Sequence, residues 1–370
     1  MYSKNTGSIF VSYILLTLMM ASGCDRDRSA MNSSEPQEGD TSVLNSPEPQ
    51  ERETMHIDGR HIYSAAGERV VLRGVNEMFV WSSDPSGEWV MEEIAKTGAN
   101  SVRIVTTTDY DASDLDAAIE NAIQNGMVPM PECHSATGRW DDLQDCVDYW
   151  LRPDIVDVIN KHEKWVLLNI ANEAGDGNVT EEQFMEGYTS AIDQIRDTGI
   201  RVPLVIDGTA WGQEYKILLD SWEALNNHDS GNAIIVSAHT YWAGSEEERK
   251  DHYRYIIDKV TEDEIPFIIG EGPTPSAWDC TPSPYEWAMD QLQEAEIGWL
   301  AWSWGLVRNG DCNDPVRYDM TEGGIYGEWK TEFGRLVVAD HPGSIQNTSR
   351  RPCSIPNAGQ NCVVALSQSH

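Results

Sequence analysis

The sequence predicts an α/β fold of the (β/α)8 barrel type, because eight short apolar runs alternate with longer amphipathic stretches between residues 55 and 342. The runs fall at 70–76, 101–106, 127–134, 165–173, 203–209, 234–241, 266–271 and 299–304. Most are nearly continuous Val, Ile and Leu, as expected of parallel strands covered on both faces. An open, doubly wound sheet would more often carry a Gly-rich phosphate loop after its first strand, and no G-x-G-x-x-G or Walker pattern occurs.

Taken in order, residues 55–69 read as an N-terminal β-hairpin turning at Asp58-Gly59 and Ala66-Gly67, placed to plug the barrel bottom. After the second run, Ser113 to Asp116 carries a cap-like signal, and Leu115, Ala118, Ile119 and Ala122 form the apolar stripe of the helix it opens. Thr180 and Gln183 have capping-box spacing at the start of another helix. Ser283 and Glu286 repeat that spacing, with Pro284 at the first helical position.

The flanks differ in kind. Residues 1–24 read as an export signal: Lys4 supplies a positive start, and 9–20 form an apolar run too short to span a bilayer comfortably. The run ends in Ala21-Ser22-Gly23-Cys24, which resembles a lipobox and predicts a lipid anchor at Cys24; the competing reading is ordinary cleavage that leaves a spare thiol. Residues 25–54 are an acidic Ser/Pro/Glu linker in which EPQE occurs twice, expected to be disordered because they bury too little apolar surface to offset ordering entropy. Residues 343–370 form a polar C-terminal tail. Setting Cys24 aside leaves six of the seven cysteines, an even set that suits an oxidising compartment. Local spacing favours Cys133–Cys146, Cys280–Cys312 and Cys353–Cys362, though six cysteines allow about fifteen connectivities. The protein is therefore expected to be exported, either lipid-anchored in the cell envelope or secreted.

A balance of 26 basic against 61 acidic residues gives a net charge of -35, which repels phosphate backbones and anionic lipid. Nucleic-acid binding and electrostatic membrane binding are excluded, leaving the lipid at Cys24 as the one route to a membrane. No H-x-H, H-E-x-x-H or EF-hand spacing occurs, so no metal and no cofactor is expected; Asp311, Asn313 and Asp314 read as a solvated acidic loop. A monomer is expected.

In this barrel class catalytic side chains stand at the C-terminal ends of strands. The fourth run finishes with Asn172 and Glu173, and the seventh with Glu271. Two carboxyls facing each other across a barrel mouth are what glycoside cleavage needs: one protonates the leaving oxygen, the other attacks the anomeric carbon. A gap of about 5–5.5 Å gives retention.

At these residues the chain resembles glycoside hydrolase family 5, and in particular its bacterial β-mannanases. The likeness runs through segments 72–76 (LRGVN), 97–104 (TGANSVRI), 134–138 (HSATG), 169–173 (NIANE), 210–213 (AWGQ), 239–241 (HTY) and 298–304 (GWLAWSW). The resemblance implies Glu173 as acid/base, Glu271 as nucleophile and Asn172 as donor to the sugar 2-hydroxyl. It gives Arg103 the task of holding the nucleophile ionised and Tyr241 that of orienting it. His134 and His239 would support the glutamates or contact the sugar, and Trp302 would floor the reacting sugar, with Trp304 the alternative. Glu173 is expected to have a raised pKa when the site is occupied, and Glu271 a low one beside Arg103.

The chain departs from the mannanase pattern after Glu173 (Ala174 to Gly177), after Glu271 (Gly272 to Pro275) and at Ser135, which alters the cleft walls. It carries 14 Trp against 5 Phe, and Trp suits the C–H faces of sugar rings. Trp81, Trp140, Trp211, Trp242 and Trp278 follow strand ends, with two or three, Trp81 and Trp211 foremost, expected to line subsites. The implied substrate is a β-linked polysaccharide: mannan, glucomannan or galactomannan cut internally, with a β-1,4-glucan (cellulase) as the alternative. A surface glycan-binding protein without turnover is the rival from another class.

Overall fold

The computed structural model describes residues 52–310 and 312–365. The export signal with its Cys24 anchor, nearly all of the linker, and Asp311 lie outside the described residues.

Eight parallel strands close a barrel: β4 (Arg73–Glu77), β5 (Ser101–Thr106), β6 (Val128–Cys133), β7 (Leu168–Asn169), β8 (Leu204–Asp207), β9 (Ile234–His239), β10 (Phe267–Glu271) and β11 (Gly298–Ala301), with β11 pairing back onto β4. Their residues are buried throughout, which is why most of the runs read as nearly continuous apolar segments with no alternating polar face. At Gly74 a Cβ would sit 1.9 Å from the Ser101 carbonyl oxygen, so this strand closes against its neighbour only with glycine there.

The N-terminal segment differs from the sequence reading. The first run divides: β3 (Arg69–Val70) completes a three-stranded antiparallel sheet with β1 (His56–Asp58) and β2 (His61–Tyr63), and the barrel strand begins at Arg73. One apolar run thus serves two sheets, because Val70 pairs with Ile62 whereas Arg73 pairs with Trp299. The hairpin is therefore a three-stranded sheet. Arg69 pairs with Glu296 at 2.5 Å and Arg60 donates to the Ala295 carbonyl at 2.6 Å, fixing it beside the segment that enters β11, on the barrel underside.

Helices fill the crossovers, among them α1 (Val90–Ala95), α2 (Ala112–Gln124), α3 (Leu143–Trp150), α4 (Pro153–Lys161), α5 (Glu181–Asp197), α6 (Tyr215–His228), α7 (Glu246–Glu262) and α8 (Tyr285–Glu294). Leu115, Ala118, Ile119 and Ala122 are the buried stripe of α2, but the helix starts before Ser113, with Asp111 at its N-cap. Thr180 and Gln183 form both bonds of the capping box on α5. The box expected at Ser283 is not made. Pro284 takes the N-cap position itself, and the Ser283 backbone N–H is spent on the Pro275 carbonyl.

All three locally spaced disulfides are present, Cys133–Cys146, Cys280–Cys312 and Cys353–Cys362, with Cα separations of 5.7, 5.6 and 4.9 Å. The C-terminal segment is held as far as Val363: Arg351 donates to the Ala95 and Ala99 carbonyls, Ile345 and Ile355 are buried, and the Cys353 N–H donates to the Val363 carbonyl. Among the described residues no helix is long and apolar enough to cross a membrane.

Candidate active site

The mouth of the barrel, at the C-terminal ends of its strands, opens into a cleft of about 770 Å³ lined by His134, Glu173, Trp211, Tyr241, Glu271 and Trp302, among others. Glu271 is the last residue of β10. Glu173 lies beyond the short ladder of β7, at φ 48°, a left-handed conformation that costs a non-glycine residue roughly 1 kcal/mol and aims its side chain into the cleft. Its backbone N–H donates to Asp207 Oδ2 at 3.3 Å and its carbonyl accepts from Gly138, which holds the turn.

The two carboxyls meet. Glu173, His239 and Glu271 each present an atom within 4.8 Å of the others, so one carboxylate oxygen of each glutamate comes closer than the roughly 6.5–9.5 Å gap of an inverting pair, as a retaining pair requires. His239 Nδ1 donates to Glu173 Oε1 at 2.6 Å and lies 3.6 Å from Glu271 Oε2. Arg103 Nη1 donates to Glu271 Oε1 at 2.9 Å, and the Tyr241 hydroxyl donates to Oε2 at 2.8 Å. Both oxygens of Glu271 therefore face fixed donors. A divalent cation is disfavoured among these three side chains, since the guanidinium and the imidazole already bring positive charge to the carboxylates.

Arg103, Asn172 and His239 are wholly buried and stand beneath the cleft surface. Asn172 Oδ1 accepts from Arg103 at 2.6 Å and its amide donates to Thr137 at 2.8 Å, so its nearest partners are protein groups. His134 lines the cleft with Nδ1 bonded to Glu132 Oε1 at 2.9 Å, and its ring stacks on Trp302 at 6.0 Å. Trp302 is the cleft residue of its pair. The chain turns after Ala301 through a cis Trp302–Ser303 peptide, and Trp304 goes to the core with its indole N–H on the Gly324 carbonyl. Trp211 and Trp278 line the cleft at 50% and 60% exposure, and Trp81 stands edge-on to His134 at 5.5 Å. Trp140 packs on Phe184 and Tyr188, and Trp242 is buried behind Gln213, so neither forms a platform.

Two further functional residues went unnoticed in the sequence: Glu132 and Asp207. With Glu271 they surround Arg103 at 3.7, 3.2 and 2.9 Å, and Asn76 and Asn169 accept from the same guanidinium. Their signal was a charged residue inside an otherwise apolar strand run. Burial works against a charged Arg103, but the carboxylates of Glu132, Asp207 and Glu271 outweigh it and keep it protonated.

In the free site Glu271 departs from the low pKa expected beside Arg103. Burial pushes both glutamates upward. For Glu173 the His239 hydrogen bond and charge, with His134 and Arg103, overcome burial and leave it below the usual carboxylate range. For Glu271 burial and the Glu173 charge prevail over His239 and Arg103 and leave it above that range, so Arg103 alone does not make this carboxyl a strong acid. His239 is itself raised to about 9, against the opposing effect of burial, by Glu271, Asp207 and Glu173. Burial and the Glu271 charge push Tyr241 far upward, so it remains a phenol and a donor.

A family model described as cellulase (glycosyl hydrolase family 5) matches residues 63–306. A mannan endo-1,4-beta-mannosidase of Salipaludibacillus agaradhaerens is 32% identical over 80% of this chain and 94% of its own length. Among solved structures, the mannanase catalytic domain of Streptomyces sp. SirexAA-E superposes with a TM-score of 0.72 at 24% identity, covering 83% of this chain and 96% of its own. The Thermomonospora fusca β-mannanase in complex with mannohexaose gives 0.70 at 23%, over 80% of this chain and 98% of its own. By the extent of the family match and the identity to the Salipaludibacillus enzyme, the chain belongs to glycoside hydrolase family 5.

Proposed function

We propose that the protein is an endo-acting, retaining β-1,4-mannanase whose acid/base is Glu173 and whose nucleophile is Glu271. The observation that carries this reading is the approach of the two carboxyls to within 4.8 Å on the floor of an open cleft. Glu271 attacks the anomeric carbon as Glu173 gives its proton to the departing glycosidic oxygen. A C–O bond forms on Glu271 and the linkage breaks. Water then enters, Glu173 removes its proton, and attack on the same carbon from the opposite side releases the sugar with its configuration kept. Arg103 and Tyr241 hold Glu271 in line, Trp302 floors the reacting sugar, and Trp81, Trp211 and His134 contact the chain beside it. Asn172, buried against Arg103 beneath the cleft surface, is the residue assigned to the sugar 2-hydroxyl, for which it keeps one amide hydrogen. The mannan preference is supported by the Salipaludibacillus relative. The same proposal places the protein outside the cytoplasm as a monomer, tethered by lipid on Cys24; three disulfides suit that compartment.

Reducing-sugar release from galactomannan and from carboxymethylcellulose tests the substrate, and activity on the cellulose derivative alone would sink the mannan assignment. Azide separates the roles on an activated aryl β-mannoside. Glu271→Ala should yield the α-mannosyl azide after one inversion, and Glu173→Ala the β-azide after two. Labelling with a palmitate analogue, lost in Cys24→Ala, tests the anchor.

A further inference from the structure

The segment between β10 and α8, which departs from the mannanase pattern, presents Trp278 with 60% of its surface exposed in the wall of the cleft. Trp211, 50% exposed, lines the same cleft, and exposed apolar faces gathered in one groove mark a ligand surface where a lone one would not. The backbone at Trp278, by contrast, is pinned from several directions. The Trp278 N–H donates to the Tyr241 carbonyl at 3.0 Å, and Asp279 Oδ2 accepts from the Gly244 N–H at 3.3 Å. Arg317 donates to Ser276 Oγ at 2.5 Å and to the Cys280 carbonyl at 3.0 Å, and Arg249 donates to Thr281 and Pro282 at 2.7 Å each. Cys280–Cys312 binds the segment to the one that follows β11 and carries Asn309 and Gly310, also cleft residues. An exposed flat ring on an immobilised backbone is a preorganised surface, which loses little entropy when a ligand covers it.

Which sugar it meets follows from the barrel order. The line from Glu173 to Glu271 crosses the mouth, with the segments after β8 and β9 on one side and those after β11 and β4 on the other. Trp302, under the reacting sugar, follows β11, so the leaving-group half of the chain runs toward the segments after β8 and β9, where Trp211 stands. Trp278 is hydrogen-bonded to the β9 side of that division.

We propose, resting on the hydrolase reading above, that Trp278 is a stacking platform for a sugar on the leaving-group side of the scissile linkage, positioned by Cys280–Cys312 and Arg317, and that it sets the enzyme's preference for long chains. Aryl β-mannobiosides place only an aryl group on that side, whereas mannopentaose places sugars there. Trp278→Ala should raise KM for mannopentaose about ten-fold, with a much smaller change for the aryl substrate and with kcat nearly retained on both. Trp278→Phe keeps a flat apolar face and should recover most of the loss. The double variant Cys280→Ser/Cys312→Ser should give an intermediate KM on mannopentaose. Equal losses on both substrates, or a mannopentaose KM that Trp278→Ala leaves untouched, would overturn the proposal while the hydrolase reading stands. Wild-type protein without turnover of any β-mannan would overturn both.

Discussion

Replacing Tyr241 with Phe removes one hydroxyl and leaves the shape of the site intact. That hydroxyl donates to Glu271 Oε2 at 2.8 Å, and the other oxygen keeps its bond to Arg103 at 2.9 Å. A hydrogen bond to a charged group contributes about 1.5–3 kcal/mol, and the loss falls on the ionised nucleophile as it aligns with the anomeric carbon. Glu271 is buried, whereas Tyr241 is partly buried and lines the cleft, so a water that takes the place of the lost donor moves the effect toward the lower end of that range. At 1.36 kcal/mol per factor of ten, Tyr241→Phe should lower kcat on mannopentaose by roughly 10- to 150-fold with little change in KM. The pH profile gives a second reading of the same bond. Donation to the carboxylate favours its ionised form, so its removal raises the Glu271 pKa and moves the acidic limb of kcat/KM to higher pH. Steady-state rates across the acidic range measure both. A kcat within three-fold of wild type, with the acidic limb in place, would show that Tyr241 does not hold the nucleophile.

Other perturbations follow from particular contacts. Gly212 has φ +73° and a Cβ there would meet the His239 ring at 2.6 Å, so Gly212→Ala should displace that ring from Glu173 and cut kcat by at least about ten-fold for roughly 1.5 kcal/mol of strain and lost contact, with far-UV circular dichroism unchanged; full activity would refute the collision. Glu77, buried at the end of β4, accepts from the Met78 and Leu306 N–H groups, yet burial pushes it up from 4.5 to about 7. The folded form holds its proton where the unfolded chain has lost it, so wild type loses stability as pH rises from 4.5 to about 7. Calorimetry should therefore show Glu77→Gln gaining on wild type through that window, by about 3 kcal/mol at most; a gap independent of pH would refute the buried charge.

Much of the site was legible because its chemistry stands where strands end. Glu173 and Glu271 could be found by asking which apolar runs finish in a carboxyl, and His239 and Tyr241 lie at and just past the end of β9. The disulfides were legible because each joins cysteines separated by 13, 32 and 9 residues, short enough to close locally. What sequence could not show was direction. Strand alternation puts Trp302 and Trp304 on one face, and only the turn after Ala301 separates them. The capping-box spacing at Ser283 is as good as that at Thr180, but the Ser283 backbone is claimed by Pro275, a partner set by tertiary packing. Glu132 and Asp207 were hidden for a related reason: a charged residue inside a strand run announces itself only once its partner, here Arg103, is known to share the barrel interior.

The order of acidities in the free site has a consequence for how Glu173 acquires its proton. Its carboxylate sits below the usual range because His239, raised to about 9, carries a proton on the nitrogen 2.6 Å away. Between groups so close the proton needs no diffusion. When a sugar fills the cleft and excludes water, moving it from Nδ1 to Oε1 discharges both partners and leaves Glu271, held by Arg103 and Tyr241, as the charged carboxylate facing the sugar. On the acid/base role proposed for Glu173, the contact that lowers it in the free enzyme would also hold the proton it delivers, and the limbs of the pH profile belong to the set of groups rather than to either glutamate. His239→Asn removes both the group that holds a proton up to about 9 and a positive charge that lowers both carboxyl pKa values, so the acidic limb of the kcat/KM profile should shift to higher pH and the alkaline limb to lower pH as its height falls. A histidine that served only packing would lower the height and leave both limbs where they were.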